Sequence, residues 1–101
     1  MMILQQPNRD ADATATWQVR VAVRIPRNDG TDLLADATRR LETTEGVERT
    51  EVVELRDIEP ALSATVVRLT IRVETRLAES TLETRLADAP GTESVAGLQR
   101  E

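Results

Sequence analysis

Five residue types are missing from this 101-residue chain: lysine, histidine, cysteine, tyrosine and phenylalanine. Each absence closes a route to chemistry. Without imidazole, no side chain has its ordinary titration near neutrality, where a general acid or base works best. Without thiol or amine there is no cysteine or lysine nucleophile, zinc loses its two commonest ligands, and no metal site suggests itself. No disulfide can form. Trp17 is the single aromatic residue, so Val, Leu, Ile and Ala must fill the core, and the one large ring is expected to pack inside rather than to stack on a ligand. No apolar stretch approaches the roughly 20 residues of a membrane span. Met1 to Leu4 is too short for the core of a signal peptide, so a cytoplasmic protein is expected.

What is present is charge. Every base is an arginine, thirteen in all, against eighteen carboxylates, for a net charge of −5, and thirteen threonines accompany them. This profile resembles proteins of extreme halophiles, archaeal ones in particular. At molar salt the Debye length falls to roughly 3 Å, which screens the self-repulsion of an acidic surface. The same acidity disfavours nucleic acid as a partner, because binding to a phosphate backbone needs net positive surface and weakens steeply with salt. Paired carboxylates are the remaining catalytic option. Asp29, Asp57, Glu59 and Ser63 fall near expected loops, yet their spacing matches no acid/base or magnesium-binding pattern. No catalytic residue and no cofactor is assigned, and a non-enzyme is expected.

An internal repeat sets the architecture. Val19 to Pro26 reads VRVAVRIP and Val67 to Glu74 reads VRLTIRVE, with arginine at the matching second and sixth places. Each run is followed by a helical pattern and then by a glycine that opens another extended segment, Gly46-Val47-Glu48 in the first half and Gly91-Thr92-Glu93 in the second. The unit is βαβ, written twice. Alternation places Val19, Val21, Val23 and Ile25 on one face of the first strand, and Val67, Leu69, Ile71 and Val73 on one face of the third. The first helix offers Leu34, Ala37 and Leu41 as its apolar stripe, with Asp32 and Asp36 toward its positive end and Arg39 and Arg40 toward the other. The second offers Leu82, Leu86 and Ala89, a capping box of Ser80 and Glu83, and a stop at Pro90-Gly91.

Val47 to Asp57 and Ala61 to Glu74 read as a long hairpin turning at Ile58-Glu59-Pro60, and Val95 to Gln99 as the last strand. Residues 1–16 are expected to be a flexible tail and 17–101 a single domain. A βαββαβ chain with right-handed crossovers gives an α+β, ferredoxin-like sandwich: a four-stranded antiparallel sheet in the order 4-1-3-2, with two helices on one face.

The opposite face is bare, and the repeat points arginines onto it. If Val19 and Val67 face inward, then Arg20 and Arg24 of the first strand and Arg68 and Arg72 of the third face outward. Guanidinium groups bind carboxylate and phosphate in bidentate fashion, which makes this an anion site. The plainer alternative is a solvated face or a dimer interface, with Glu48, Glu51 or Glu54 of the second strand neutralising the arginines. Base stacking of the RNA-recognition type is disfavoured, since no Phe or Tyr exists to provide it.

The second candidate is the loop Arg27-Asn28-Asp29-Gly30-Thr31, which leads into the N-terminus of the first helix, where free N–H groups favour an anion. Asn-Asp-Gly is equally an ordinary turn. Asp29-Gly30, Leu33-Leu34, Leu41 and Gly46-Val47 together resemble the loop, helix and Gly-Val signature of ACT-type regulatory domains. That resemblance implies small-effector binding near Asn28, Asp29, Gly30 and Thr31, across a homodimer. Glu83 to Ala96 is similar to the closing helix and strand of archaeal elongation factor one-beta, a nucleotide-exchange domain, although Ile58 to Leu62 lacks the Phe-Gly-Leu of its hairpin. The expectation is a non-catalytic binding or regulatory module, ACT-like in the first reading. In the second it is a protein-interaction or translation-factor-like module that uses the 58–62 hairpin tip and the arginine face.

Overall fold

In a computed structural model describing residues 14–26 and 32–101, the elements follow the order β1 (Ala15–Pro26), α1 (Leu33–Glu42), β2 (Val47–Pro60), β3 (Ala64–Thr75), α2 (Glu79–Ala87) and β4 (Thr92–Arg100). The strands form one antiparallel sheet ordered β2-β3-β1-β4, which is the order 4-1-3-2 read from the other edge. This is the α+β, ferredoxin-like arrangement expected from the repeat. The repeat-related strands β1 and β3 are neighbours at the centre, in register from Ala15↔Thr75 to Pro26↔Ala64. The inward residues Val19, Val21, Val23, Ile25, Val67, Leu69, Ile71 and Val73 are all at most 3% exposed. Ala37, Leu41, Leu82 and Leu86 from the helices close over them, and Trp17 completes the same cluster. Trp17 is a packing residue as expected, although its indole Nε1 is buried without a hydrogen-bond partner among the described residues.

Several boundaries differ from the sequence reading. β1 starts at Ala15, so Ala15 and Thr16, expected as the end of the tail, pair with Thr75 and Glu74. The hairpin turns at residues 61–63, closed by the Ala61 N–H donating to the Ala64 carbonyl at 2.8 Å. Pro60 is the last residue of β2, opposite Thr65. β2 pairs on one side only, and an edge strand tolerates a residue that cannot donate to the ladder. β4 reaches from Thr92 to Arg100, and the Glu101 N–H adds a bond to the Thr16 carbonyl.

The helices also correct two readings. Asp32 caps α1, accepting from the Leu34 and Ala35 N–H groups at 3.0 and 3.2 Å, an arrangement worth about 1 kcal/mol. Asp36 lies in the first turn, as expected for the helix dipole, and is also buried and paired with Arg39 and with Arg40. The side of α1 turned to the core carries Leu33, Asp36, Ala37 and Leu41, and Leu34 sits at its margin, 36% exposed. In α2 no capping box forms. The helix starts at Glu79 behind Ala78, so Ser80 already lies inside it and cannot act as the cap. Burial of Leu82 and Leu86 holds the helix down. Gly91, with φ of +84°, follows α2, and its carbonyl accepts from the Arg24 N–H at 2.7 Å, tying the start of β4 to β1. A Cβ there would come within 2.8 Å of the Arg24 carbonyl oxygen, so only glycine fits this approach.

Among the described residues no helix is long and apolar enough to cross a membrane.

Candidate functional site

Both helices cover one face of the sheet, and the other face is built from the alternate residues of all four strands. Antiparallel register fixes which side chains meet there. One row across the sheet reads Glu51, Arg72, Gln18, Gln99; the next reads Glu54, Thr70, Arg20, Ala96; the next reads Asp57, Arg68, Ala22, Ser94. Directly opposed residues on neighbouring strands have Cβ atoms close enough to pair, and diagonal ones are farther apart.

This register sorts the four expected arginines into two kinds. Arg72 stands opposite Glu51 and binds it through Nη1 at 3.1 Å, while its Nε reaches the Glu101 carboxylate at 3.0 Å. Glu101 first, and Glu51 after it, hold the Arg72 guanidinium charged beyond the ordinary arginine range. Arg68 binds Glu59 at 2.9 Å and Asp57 at 3.8 Å. Arg24 lies 3.7 Å from Glu93. These three are neutralised on the face, as the plainer reading supposed, but largely by carboxylates other than those expected. Only Glu51 of the expected group takes part. Glu48 turns to Arg76, at 3.4 Å, and Glu54 pairs with no described residue. The register shifts of β2 between Val47 and Arg49 and between Val52 and Glu54 account for this, because each changes which side chains stand opposite β3.

Arg20 is the exception. Its neighbours in the row are Thr70 and Ala96, neither of them acidic, and Glu54 lies one strand beyond Thr70. Among the described residues it makes no ion pair and no hydrogen bond. Its guanidinium lies over Gly97, where a Cβ would come within 2.9 Å of Nε and Nη2. Gly97 has φ of +68° and sits in β4 where the register against β1 shifts between Gln18 and Arg20. The missing side chain and the bulge leave room for the guanidinium to lie flat.

A second arginine joins it that sequence reasoning missed. Arg56 falls at the β2 register shift between Leu55 and Asp57. It lines both depressions of the open face, which also share Arg20. The larger, about 370 Å³, is walled by Gln18, Arg20, Glu54, Arg56, Thr70, Gly97 and Gln99. The smaller, about 170 Å³, continues past Ala22, Arg68, Ser94 and Ala96. Arg56, like Arg20, has no partner among the described residues. Alternation from Val47, which packs against the core, puts Arg56 on the open face, so its signal lay in the second strand and not in the repeat.

The other candidates separate. Asn28, Asp29, Gly30 and Thr31 lie outside the described residues. Asp57 and Glu59 both serve Arg68, and Ser63 is exposed in the hairpin turn. Among the described residues no three His, Cys, Asp or Glu side chains group as metal ligands. At the hairpin tip Leu62 is fully exposed, with Ile58 at 43% and Leu55 at 41% beside it on β2.

Compared with family models, with curated proteins and with solved structures, the chain finds no match.

Proposed function

We propose that the chain is a non-catalytic, regulatory binding module that takes a small effector, acting as a cytoplasmic homodimer in a salt-rich cell. The observation that supports this reading is the depression on the open face, in which Arg20 and Arg56 make no ion pair among the described residues and a single carboxylate, Glu54, shares the lining. Charged groups on a sheet are ordinarily solvated or paired, and the neighbouring Arg24, Arg68 and Arg72 are paired. Two unpaired guanidiniums beside Gln18, Gln99, Thr70 and the carboxylate of Glu54 form a polar recess of the size small ligands use. In this reading the effector lies on the sheet. The ACT-like placement, at Asn28 to Thr31 and across a dimer, is a second station on the same module.

The test is thermal denaturation in molar KCl across a panel of metabolites, together with light scattering for mass. A ligand that binds only the folded state raises the melting temperature by mass action. Effectors that raise it in the wild type and not in Arg20→Ala support the reading. A panel without effect, together with a protein that co-purifies, overturns it.

One observation favours a second reading, a protein-interaction or translation-factor-like module. Leu62, Ile58 and Leu55 present apolar surface at the end of the β2–β3 hairpin, where a partner would cover it. In that case Leu62→Ser releases the co-purifying partner and Arg20→Ala does not.

A further inference from the structure

The effector reading leaves the ligand's chemistry open, and the depression itself narrows it. Its contents are two guanidiniums, one carboxylate, one hydroxyl and two side-chain amides, supplied by Arg20, Arg56, Glu54, Thr70, Gln18 and Gln99. No aromatic ring is there to stack a base, and the only aromatic residue, Trp17, is in the core on the other side of the sheet. The formal charge of the lining is two positive from Arg20 and Arg56 and one negative from Glu54, a sum of +1. That balance suits a single negative charge. A phosphate monoester, with close to two at neutral pH, would bring its second charge against Glu54.

We propose that Arg20 and Arg56 together seat the carboxylate of a small, hydrophilic monoanion, and that Glu54, Gln18, Gln99 and Thr70 bind hydroxyl groups on the rest of the molecule. The ligand class is a polyhydroxy carboxylate. This inference rests on the effector reading and adds the chemistry of its ligand. Guanidinium is suited to the task because its fork matches the two oxygens of a carboxylate. Glu54 accepts from a hydroxyl donor and repels a second anionic group. Thr70 is 7% exposed at the floor, with a hydroxyl that no described residue engages, so it can donate or accept.

Gly97 is the positioning residue. With no Cβ it lets the Arg20 guanidinium lie across the β4 bulge, and an alanine there would overlap Nε and Nη2. Arg20 would then have to leave its place over the β4 bulge. Gly97 serves the fold as well, because its φ of +68° at the bulge is one that residues with a Cβ rarely adopt.

The experiment uses the full chain in 1 M KCl, with gluconate, acetate and inorganic phosphate each added at equal ionic strength. Melting temperature and the ¹⁵N NMR signals of the arginine Nε groups and the Gly97 amide are recorded. Gluconate at about ten times its dissociation constant is expected to raise the melting temperature by roughly 5 °C or more and to move the Arg20, Arg56 and Gly97 signals. Acetate and phosphate should do less. The gluconate effect should vanish in Arg20→Ala and in Arg56→Ala, weaken in Gly97→Ala, and persist in Arg24→Ala, whose side chain lies outside both depressions.

Phosphate exceeding gluconate overturns the monoanion assignment. An equal loss in Arg24→Ala overturns the seat, because general electrostatics would then explain the binding. If no anion binds but a neutral or cationic effector raises the melting temperature through Arg20, the ligand class fails while the effector reading stands. If nothing binds at all, both fail.

Discussion

Leu34 and Leu41 lie two turns apart on α1 and were both expected in its core stripe, yet the structure separates them. Leu41 is 0% exposed inside the core cluster, and Leu34 is 36% exposed at the margin of the helix. Replacing either by alanine removes the same three carbons from the same helix, so helix propensity cancels in the comparison. At about 0.8 kcal/mol per buried methylene, the transfer part for Leu41 is about 2.4 kcal/mol. The cavity left under the helix raises the cost to about 3–5 kcal/mol. With no phenylalanine or tyrosine in the sequence to relax into the gap, the upper half of that range is expected. Leu34 loses at most a proportionate share of the transfer part, about 1.5 kcal/mol, and solvent fills the space it leaves. Against a whole-domain stability of about 5–15 kcal/mol the first change is severe and the second mild. Urea titration followed by far-UV circular dichroism, at fixed KCl, measures both. Leu41→Ala should lower the midpoint by about 2 M or more, and Leu34→Ala by under about 1 M, with unchanged slopes. Equal losses would mean that α1 is seated differently on the sheet, and the reasoning from burial would be wrong.

The remaining predictions concern charge and surface. The melting temperature should rise from dilute buffer to 2 M KCl, because salt screens the repulsion of a chain with net charge −5; a flat profile would refute the salt adaptation inferred from composition. Glu101→Gln should lower the melting temperature slightly in dilute buffer and hardly at all in molar salt, since it removes one of the two carboxylates on Arg72. The raised Arg72 pKa contributes its stability everywhere below the ordinary arginine value and loses it only as pH climbs through the raised one. Below that range the difference between Glu101→Gln and wild type should owe nothing to Arg72 titration, which pH-dependent melts from pH 7 to 10 can check. Leu62→Ser should change stability by less than about 0.5 kcal/mol, because the side chain is fully exposed. A larger loss would place Leu62 in an interface of the purified protein.

The fold was legible because its signal is local and written twice. VRVAVRIP and VRLTIRVE share a period of two, and residues that alternate in sequence alternate between faces whatever the strand's neighbours are. The inward residues of β1 and β3 followed from that rule alone, and the pairing of those strands followed from handedness. Boundaries depend on competing partners, and there the reading slipped. Pro60 reads as a turn residue by propensity, but on an edge strand its missing N–H offends no neighbour, so β2 continues to it. Ser80 and Glu83 have capping-box spacing, but α2 begins at Glu79, where burial of Leu82 and Leu86 sets the helix position.

The site was legible only in part, and the missing part has a single cause. Sequence places Arg20, Arg24, Arg68 and Arg72 on one face, but their electrostatic state depends on what stands across the strand, which is a matter of register. The three shifts along β2 bring Glu51 opposite Arg72 and Asp57 opposite Arg68 while leaving Thr70 between Glu54 and Arg20. One of those shifts also falls at Arg56, which strict alternation from the core-facing Val47 likewise places on the open face. Arg20 faces Thr70 in the unbroken β1–β3 register and Ala96 across the β4 shift, and neither partner is acidic. Composition does not reveal this state, because it is silent on which residues stand opposite one another across the strands. Deletion of Arg56 should therefore cost the depression one of its two guanidiniums while leaving Asp57 opposite Arg68 and Glu59 opposite Val66, because those pairs continue the ladder from Leu55 and Leu69 once the extra residue is gone. Recognition on this face depends on what the register sets beside each arginine, and in the depression it leaves Arg20 and Arg56 without an ion pair among the described residues.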